Sequence, residues 1–135
     1  MGYRSQVRIR LRKEDYKRLV KEFEEDKTIQ NAGCSNLFRQ LDKYVEEQRY
    51  TYNENINDNW VEKNVDTVYF GWDYVKWYDG YEDVDFIMDW LVKDDKMPYA
   101  YTRIGESIEG DIDMRYNIFD EIFVYFGFDD DSEGV

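Results

Sequence analysis

The sequence has no histidine, a single cysteine and a single proline in 135 residues. Without histidine the commonest general base near neutral pH is missing, as are the Ser-His and Cys-His nucleophile pairs and the commonest zinc ligand. The lone Cys34 cannot close a disulfide within the chain; it fits a reducing compartment and reads as a buried structural thiol. No run approaches the roughly 18 apolar residues of a membrane span. Met1 to Lys13 alternates and carries arginines where a signal peptide would carry an apolar stretch. The expected location is therefore the cytoplasm, with no membrane partner. No glycine-rich phosphate loop or GxSxG turn occurs. Asp111-x-Asp113 and Asp129-Asp130-Asp131 lack the spacing of an EF-hand loop and read as solvated charge, so neither a metal nor a cofactor is implied. These absences lead to the expectation that the chain is not an enzyme.

Acid and aromatic residues are abundant. The net charge is −13, and it is unevenly spread: residues 1–51 sum to +3 and residues 52–135 to −16. A field of that sign repels nucleic acid and favours basic protein surfaces. At 19% aromatic content the chain is too rich in rings to be a disordered acidic protein.

Periodicity assigns the elements. Tyr3, Ser5, Val7, Ile9 and Leu11 alternate with Arg4, Gln6, Arg8, Arg10 and Arg12, a strand with one buried and one basic side. From Glu14 to Asp26 the period becomes helical, with Tyr16, Leu19, Val20 and Phe23 on one stripe. Ser35 is a good N-cap for a second helix whose stripe is Leu37, Phe38, Leu41, Tyr44 and Val45. Arg49 to Asp66 reads as a long polar loop. Thr67 to Trp77 is strand-like, and Gly71 in it marks a bulge or a close approach of another backbone. Glu82 to Val92 is a helix with Val84, Ile87, Met88 and Leu91 inward, and Pro98 opens a strand from Tyr99 to Ile104. Gly105 to Tyr116 reads as an acidic loop, and Ile118 to Phe126 as the last strand.

This order predicts one α+β domain over residues 1–128. Its mostly antiparallel four-stranded sheet carries helices on one face, in a ferredoxin-like arrangement with a helical insertion at 34–64. Residues 129–135 are expected to form a disordered acidic tail.

Two surfaces suggest function. On the helix 82–92, Glu82, Asp85 and Asp89 line one flank, while Phe86 and Trp90 lie on the other. These two rings either lie beneath the loop 49–66 or anchor a partner. The approach to this helix adds Trp72, Asp73, Trp77 and Asp79. Carboxylates interleaved with rings resemble the charge and stacking surface of nucleic acid, and would suit a host protein with a basic groove. No direct nucleic-acid contact is expected, and a homodimer is allowed. The alternative surface is the arginine row. If Arg8 and Arg10 share an open face with Tyr69, Tyr101 and Arg103, that face could bind a small nucleotide.

Three stretches carry a family likeness: Met1-Gly2-Tyr3-Arg4-Ser5, Val75-Lys76-Trp77-Tyr78 and Arg103-Ile104-Gly105-Glu106. Together they resemble small proteins encoded by tailed phages and prophages, over roughly residues 1–26 and 66–125. Residues 27–65 look like an insertion peculiar to this chain. The resemblance implies a phage origin and an anti-defence role in the host bacterial cytoplasm, such as an anti-CRISPR inhibitor. It transfers no functional residue.

Overall fold

A computed structural model describes residues 4–31, 37–40, 43–106 and 111–123. Cys34, Ser35 and the acidic tail 129–135 lie outside them. The elements run β1 (Ser5–Arg12), α1 (Lys13–Glu25), α2 (Lys27–Asn31), a 3₁₀ turn (Leu37–Arg39), β2 (Lys43–Ile56), β3 (Asn59–Val75), α3 (Glu82–Val92), β4 (Tyr99–Ile104) and β5 (Ile112–Asn117). All five strands form one antiparallel sheet in the order β2-β3-β1-β4-β5. The first four strands, with α1 and α3 as crossovers, reproduce the ferredoxin-like β-α-β-β-α-β order. β5 extends the sheet beyond β4, so the sheet has five strands and not the expected four.

β1 is central because its apolar side can be covered completely. Val7, Ile9 and Leu11 are fully buried in one core with Leu19 and Phe23 of α1 and Val84, Ile87 and Leu91 of α3. Side chains of this size each contribute about 1.5–3 kcal/mol when removed from water. Gly71 lies opposite Arg8, next to the β1–β3 register shift between Ser5 and Val7. A Cβ placed there would stand 1.7 Å from the Val7 carbonyl oxygen, so the close backbone approach foreseen at this glycine is present.

The expected helical insertion at 34–64 is corrected to a hairpin. Leu37 and Phe38 do reach the core, but from the 3₁₀ turn, and the Trp72 indole N–H donates to the Leu37 carbonyl at 2.7 Å. From Lys43 onward the chain pairs with β3 over 14 positions and turns at Asn57-Asp58, both with positive φ (52° and 66°). Positive φ at both central residues is the backbone of a tight hairpin turn, which Asn and Asp tolerate better than most residues. Tyr44 and Val45 fit a helical stripe and a strand equally well, and the long-range pairing decides between them. The outer hairpin, from Arg49 to Asp66, is polar because one of its faces is exposed and the other is covered only in part, at Tyr50, Tyr52 and Val65.

Near the C-terminal end, residues read as an acidic loop form β5, while residues 118–123 are not a strand. This last stretch folds over the sheet face opposite the helices. Phe119 and Ile122 bury there with Tyr52, Tyr69 and Ala100, and the Thr102 hydroxyl donates to the Ile122 carbonyl at 2.9 Å.

Candidate active site

The three tryptophans assigned to a partner surface are core residues. Trp72 is fully buried, and Trp77 and Trp90 are 7% and 3% exposed. Because α1 and α3 lie side by side on the sheet, the aromatic flank of α3 faces α1 and not solvent or the 49–66 segment. Phe86 packs edge-to-face on Phe23 with ring centres 5.6 Å apart. The Trp90 indole donates to Glu22 at 3.2 Å, with the cations of Arg18 and Lys93 each 4.9 Å from its ring. Glu82, Asp85 and Asp89 stay exposed on the helix, and Asp73 pairs with Arg8. Of this set, Trp77 and Asp79 come together in a cleft, and Trp72, Phe86 and Trp90 turn into the core or towards α1.

The alternative arginine–tyrosine face also divides. Pairing puts Tyr69 beside Arg10, but Tyr101 beside Ile9 and Arg103 beside Val7. Tyr101 and Arg103 thus stand on the helix-covered side, opposite to Arg8, Arg10 and Tyr69. Alternation groups residues within a strand; only the pairing register relates one strand to the next. Arg8 is 1% exposed, 2.7 Å from Asp73 and 5.0 Å above the Tyr44 ring. Arg10 donates to Gln48 at 2.7 Å and lies 4.6 and 5.1 Å from the Tyr50 and Tyr69 rings. Burial lowers its pKa from the usual arginine value. This row is largely satisfied within the fold.

A cleft instead opens between α3 and the β4–β5 edge, with a volume of about 290 Å³. The β3–α3 connection contributes Trp77, Tyr78 and Asp79, and α3 contributes Met88. From the sheet come Tyr101 and Arg103 on β4, and Asp111, Asp113 and Arg115 at and along β5. The register aligns Tyr101 with Arg115 and Arg103 with Asp113, so alternate residues of both strands face the same space.

Two guanidinium–carboxylate pairs fix the polar wall. Arg103 donates to Asp111 at 2.5 Å and to the Ser5 hydroxyl at 3.3 Å. Arg115 meets Asp113 through two bonds, at 3.1 and 3.3 Å, a fork geometry that fixes direction as well as distance. Both arginine pKa values are raised, chiefly by these hydrogen bonds. The opposite wall is aromatic. The Trp77 indole donates to the Tyr101 hydroxyl at 3.0 Å, and Trp77 itself rests on Trp72, ring centres 5.4 Å apart. Burial pushes the Tyr101 pKa up to about 12, which favours the neutral phenol. Such a wall offers flat rings for a base or a cation, fixed donors for a carboxylate and acceptors for hydroxyl or ammonium groups.

Of the residues singled out in the sequence, Trp77, Asp79, Tyr101 and Arg103 line this cleft, drawn from two different expected surfaces. Tyr78, Met88, Asp111, Asp113 and Arg115 were not assigned to a site. Their trace in the sequence is Asp111, Asp113 and Arg115 at every second position, the spacing of one strand face. Asp111 and Asp113 are ion-paired cleft residues, not the loose solvated charge expected of them.

Fold and cleft together define an α+β domain of ferredoxin-like order with a lateral polar and aromatic cleft. No family model matches the sequence, and neither does any curated protein. Among solved structures the chain is similar to a phage SAM lyase in complex with S-methyl-5'-thioadenosine, with a TM-score of 0.51 and 17% identity, covering 90% of this chain and 95% of that one. That neighbour is a phage protein, consistent with the resemblance read from the sequence. It also overturns the expectation of a non-catalytic acidic inhibitor of anti-CRISPR type. The fold is shared with an enzyme whose ligand is a small molecule, and the rings meant for a protein partner are buried. Among the described residues no helix is long and apolar enough to cross a membrane.

Proposed function

We propose that this chain is a lyase acting on S-adenosylmethionine or a close sulfonium relative, with the cleft between α3 and β5 as its active site. The observation that carries this reading is the composition of the cleft: rings and Asp79 from the β3–α3 connection on one wall, and two guanidinium–carboxylate pairs on the other, so that carboxylates outnumber guanidinium groups among its described residues. A sulfonium substrate carries a sulfur cation, an ammonium, a carboxylate, ribose hydroxyls and a flat base, and each has a complementary group here. The likeness to a SAM lyase supports the same ligand class.

Methylthioadenosine is S-adenosylmethionine without its 3-amino-3-carboxypropyl group, so forming it breaks the bond between sulfur and the γ-carbon. The departing thioether is neutral. The substrate's own carboxylate can displace it, closing a lactone while the sulfur takes the electron pair of the broken bond. No proton moves in that step, so the absence of histidine does not exclude it. The protein's part is to hold the substrate folded, with carboxylate near the γ-carbon, and to keep water out. The half-buried Tyr78 offers its ring to the base or the sulfonium, while the buried Trp77 acts on the site through its bond to Tyr101. Arg115 and Arg103, fixed by Asp113 and Asp111, retain N–H donors that orient the carboxylate. The buried Tyr101 hydroxyl supplies one further donor.

The test is incubation of the purified protein with S-adenosylmethionine, followed by chromatography and mass spectrometry. Methylthioadenosine should appear faster than in the buffer control, together with a lactone lacking solvent oxygen when the reaction runs in labelled water. Arg115→Ala should slow it by about 10²-fold through lost positioning. Recovery of unchanged substrate, at the spontaneous rate, would sink the proposal.

A further inference from the structure

Among the described residues, five acidic and basic side chains line the cleft: Asp79, Asp111, Asp113, Arg103 and Arg115. Each guanidinium already has a carboxylate, Arg103 with Asp111 and Arg115 with Asp113. Asp79 forms no ion pair with any described residue, so the described residues of the cleft hold one negative charge in surplus. Its place is fixed by a tight turn. The Tyr81 N–H donates to the Tyr78 carbonyl at 3.2 Å, Gly80 adopts a φ of 94°, and the Gly80 N–H donates to Asp85 at 3.0 Å. The surplus charge therefore stands on a held backbone, next in sequence to the cleft rings of Trp77 and Tyr78.

We infer that Asp79 is a specificity-determining residue, one that makes the cleft hold a positively charged adenosyl ligand more tightly than its neutral thioether counterpart. This inference rests on the reading of the cleft as an adenosyl-sulfonium site. At neutral pH S-adenosylmethionine carries one net positive charge, whereas S-adenosylhomocysteine and methylthioadenosine carry none. A site with one surplus carboxylate beside aromatic faces favours the cation by Coulomb attraction and by the ring quadrupole. Breaking the sulfur–carbon bond removes the charge from the adenosyl fragment. The same residue that favours substrate thus ceases to hold product, and release of the thioether follows from the chemistry with no separate opening of the fold.

Calorimetric titration with two uncleaved ligands of one skeleton tests this. Sinefungin bears an ammonium in place of the sulfonium; S-adenosylhomocysteine bears a neutral sulfur. Wild-type protein should bind sinefungin the more tightly. Asp79→Asn should weaken sinefungin by about two- to fivefold, the range of a partly solvated ion pair, and leave S-adenosylhomocysteine unchanged. Asp79→Glu should keep the preference, and the preference should shrink with added salt. Equal losses for both ligands in Asp79→Asn, or no loss for either, would overturn the role of Asp79 while leaving the site intact. Failure of wild-type protein to bind either ligand would overturn the adenosyl reading itself, and the selectivity with it.

Discussion

Single residues carry constraints here that follow from contact distances. Gly71 has no room for a side chain, since a methyl group would meet the Val7 carbonyl well inside contact distance. Gly71→Ala should destabilise the fold by about 3 kcal/mol or more, because relief requires β1 and β3 to move apart in the middle of the sheet. Thermal unfolding followed by circular dichroism measures this. Tyr101 is constrained through its hydroxyl. Tyr101→Phe leaves the buried Trp77 indole N–H without an acceptor, which costs about 1–3 kcal/mol. Removing both partners costs less than the sum, so the double change of Tyr101→Phe with Trp77→Phe should show a favourable coupling in a double-mutant cycle. Purely additive losses would mean that the 3.0 Å bond contributes nothing.

At the scale of elements, the β2–β3 hairpin and the α1–α3 pair make opposite demands. The hairpin turns through Asn57 and Asp58, both in the left-handed region. A residue with a Cβ is held there at a cost that glycine avoids, so Asp58→Gly should raise stability by about 0.5–1 kcal/mol and leave the cleft unaffected. An unchanged or lower melting temperature would contradict the turn geometry. The helix pair depends on Trp90, which α1 covers through Arg18 and Glu22. Trp90→Ala should cost about 3–5 kcal/mol as a core truncation. Had Trp90 been an exposed anchor, the same change would leave stability nearly untouched, so one denaturation curve separates the two readings. These elements also show how far the sequence could be read. α1 and α3 were legible to within a residue because each has one buried and one solvated side, and that contrast writes its period into the chain; β4, buried on both faces, was legible from Pro98 and Gly105 on either side of it. β2 was not legible. Its burial alternates, but Glu46, Gln48 and Glu54 stand at inward positions beside Tyr50 and Tyr52, so hydrophobicity there reports no clear period, and its pairing partner is reached only through the turn.

For the whole molecule, proton linkage gives a prediction with a definite sign. The Tyr101 pKa is raised from 10.0 to about 12 by burial, and burial also raises Tyr16, Tyr50 and Tyr99. A group whose pKa is higher in the folded state adds stability below its unfolded pKa and loses it as pH climbs towards the folded value. The fold should therefore weaken between pH 10 and about 12, with Tyr101 alone accounting for about 2–3 kcal/mol. Denaturant titrations across that range should show the decline, and Tyr101→Phe should flatten it. A slope equal in wild type and variant would show that this phenol is not the group responsible.

The sequence by itself determined the α+β class, the central strand with its buried side, two of the helices and the need for glycine at position 71. All of these depend on local period or on composition, which a chain carries wherever it folds. It also held the unequal charge of its two halves and the rings crowded into residues 72–81. Only the tertiary structure decided what those rings and charges do. Whether Trp77 or Trp90 faces solvent depends on which element lies over it. Whether Tyr101 joins Arg10 or Asp113 depends on a register between strands far apart in sequence. The cleft follows the same rule: its walls come from the β3–α3 connection, α3, β4 and β5, and they share a space because the sheet extends one strand beyond the helix that covers its centre.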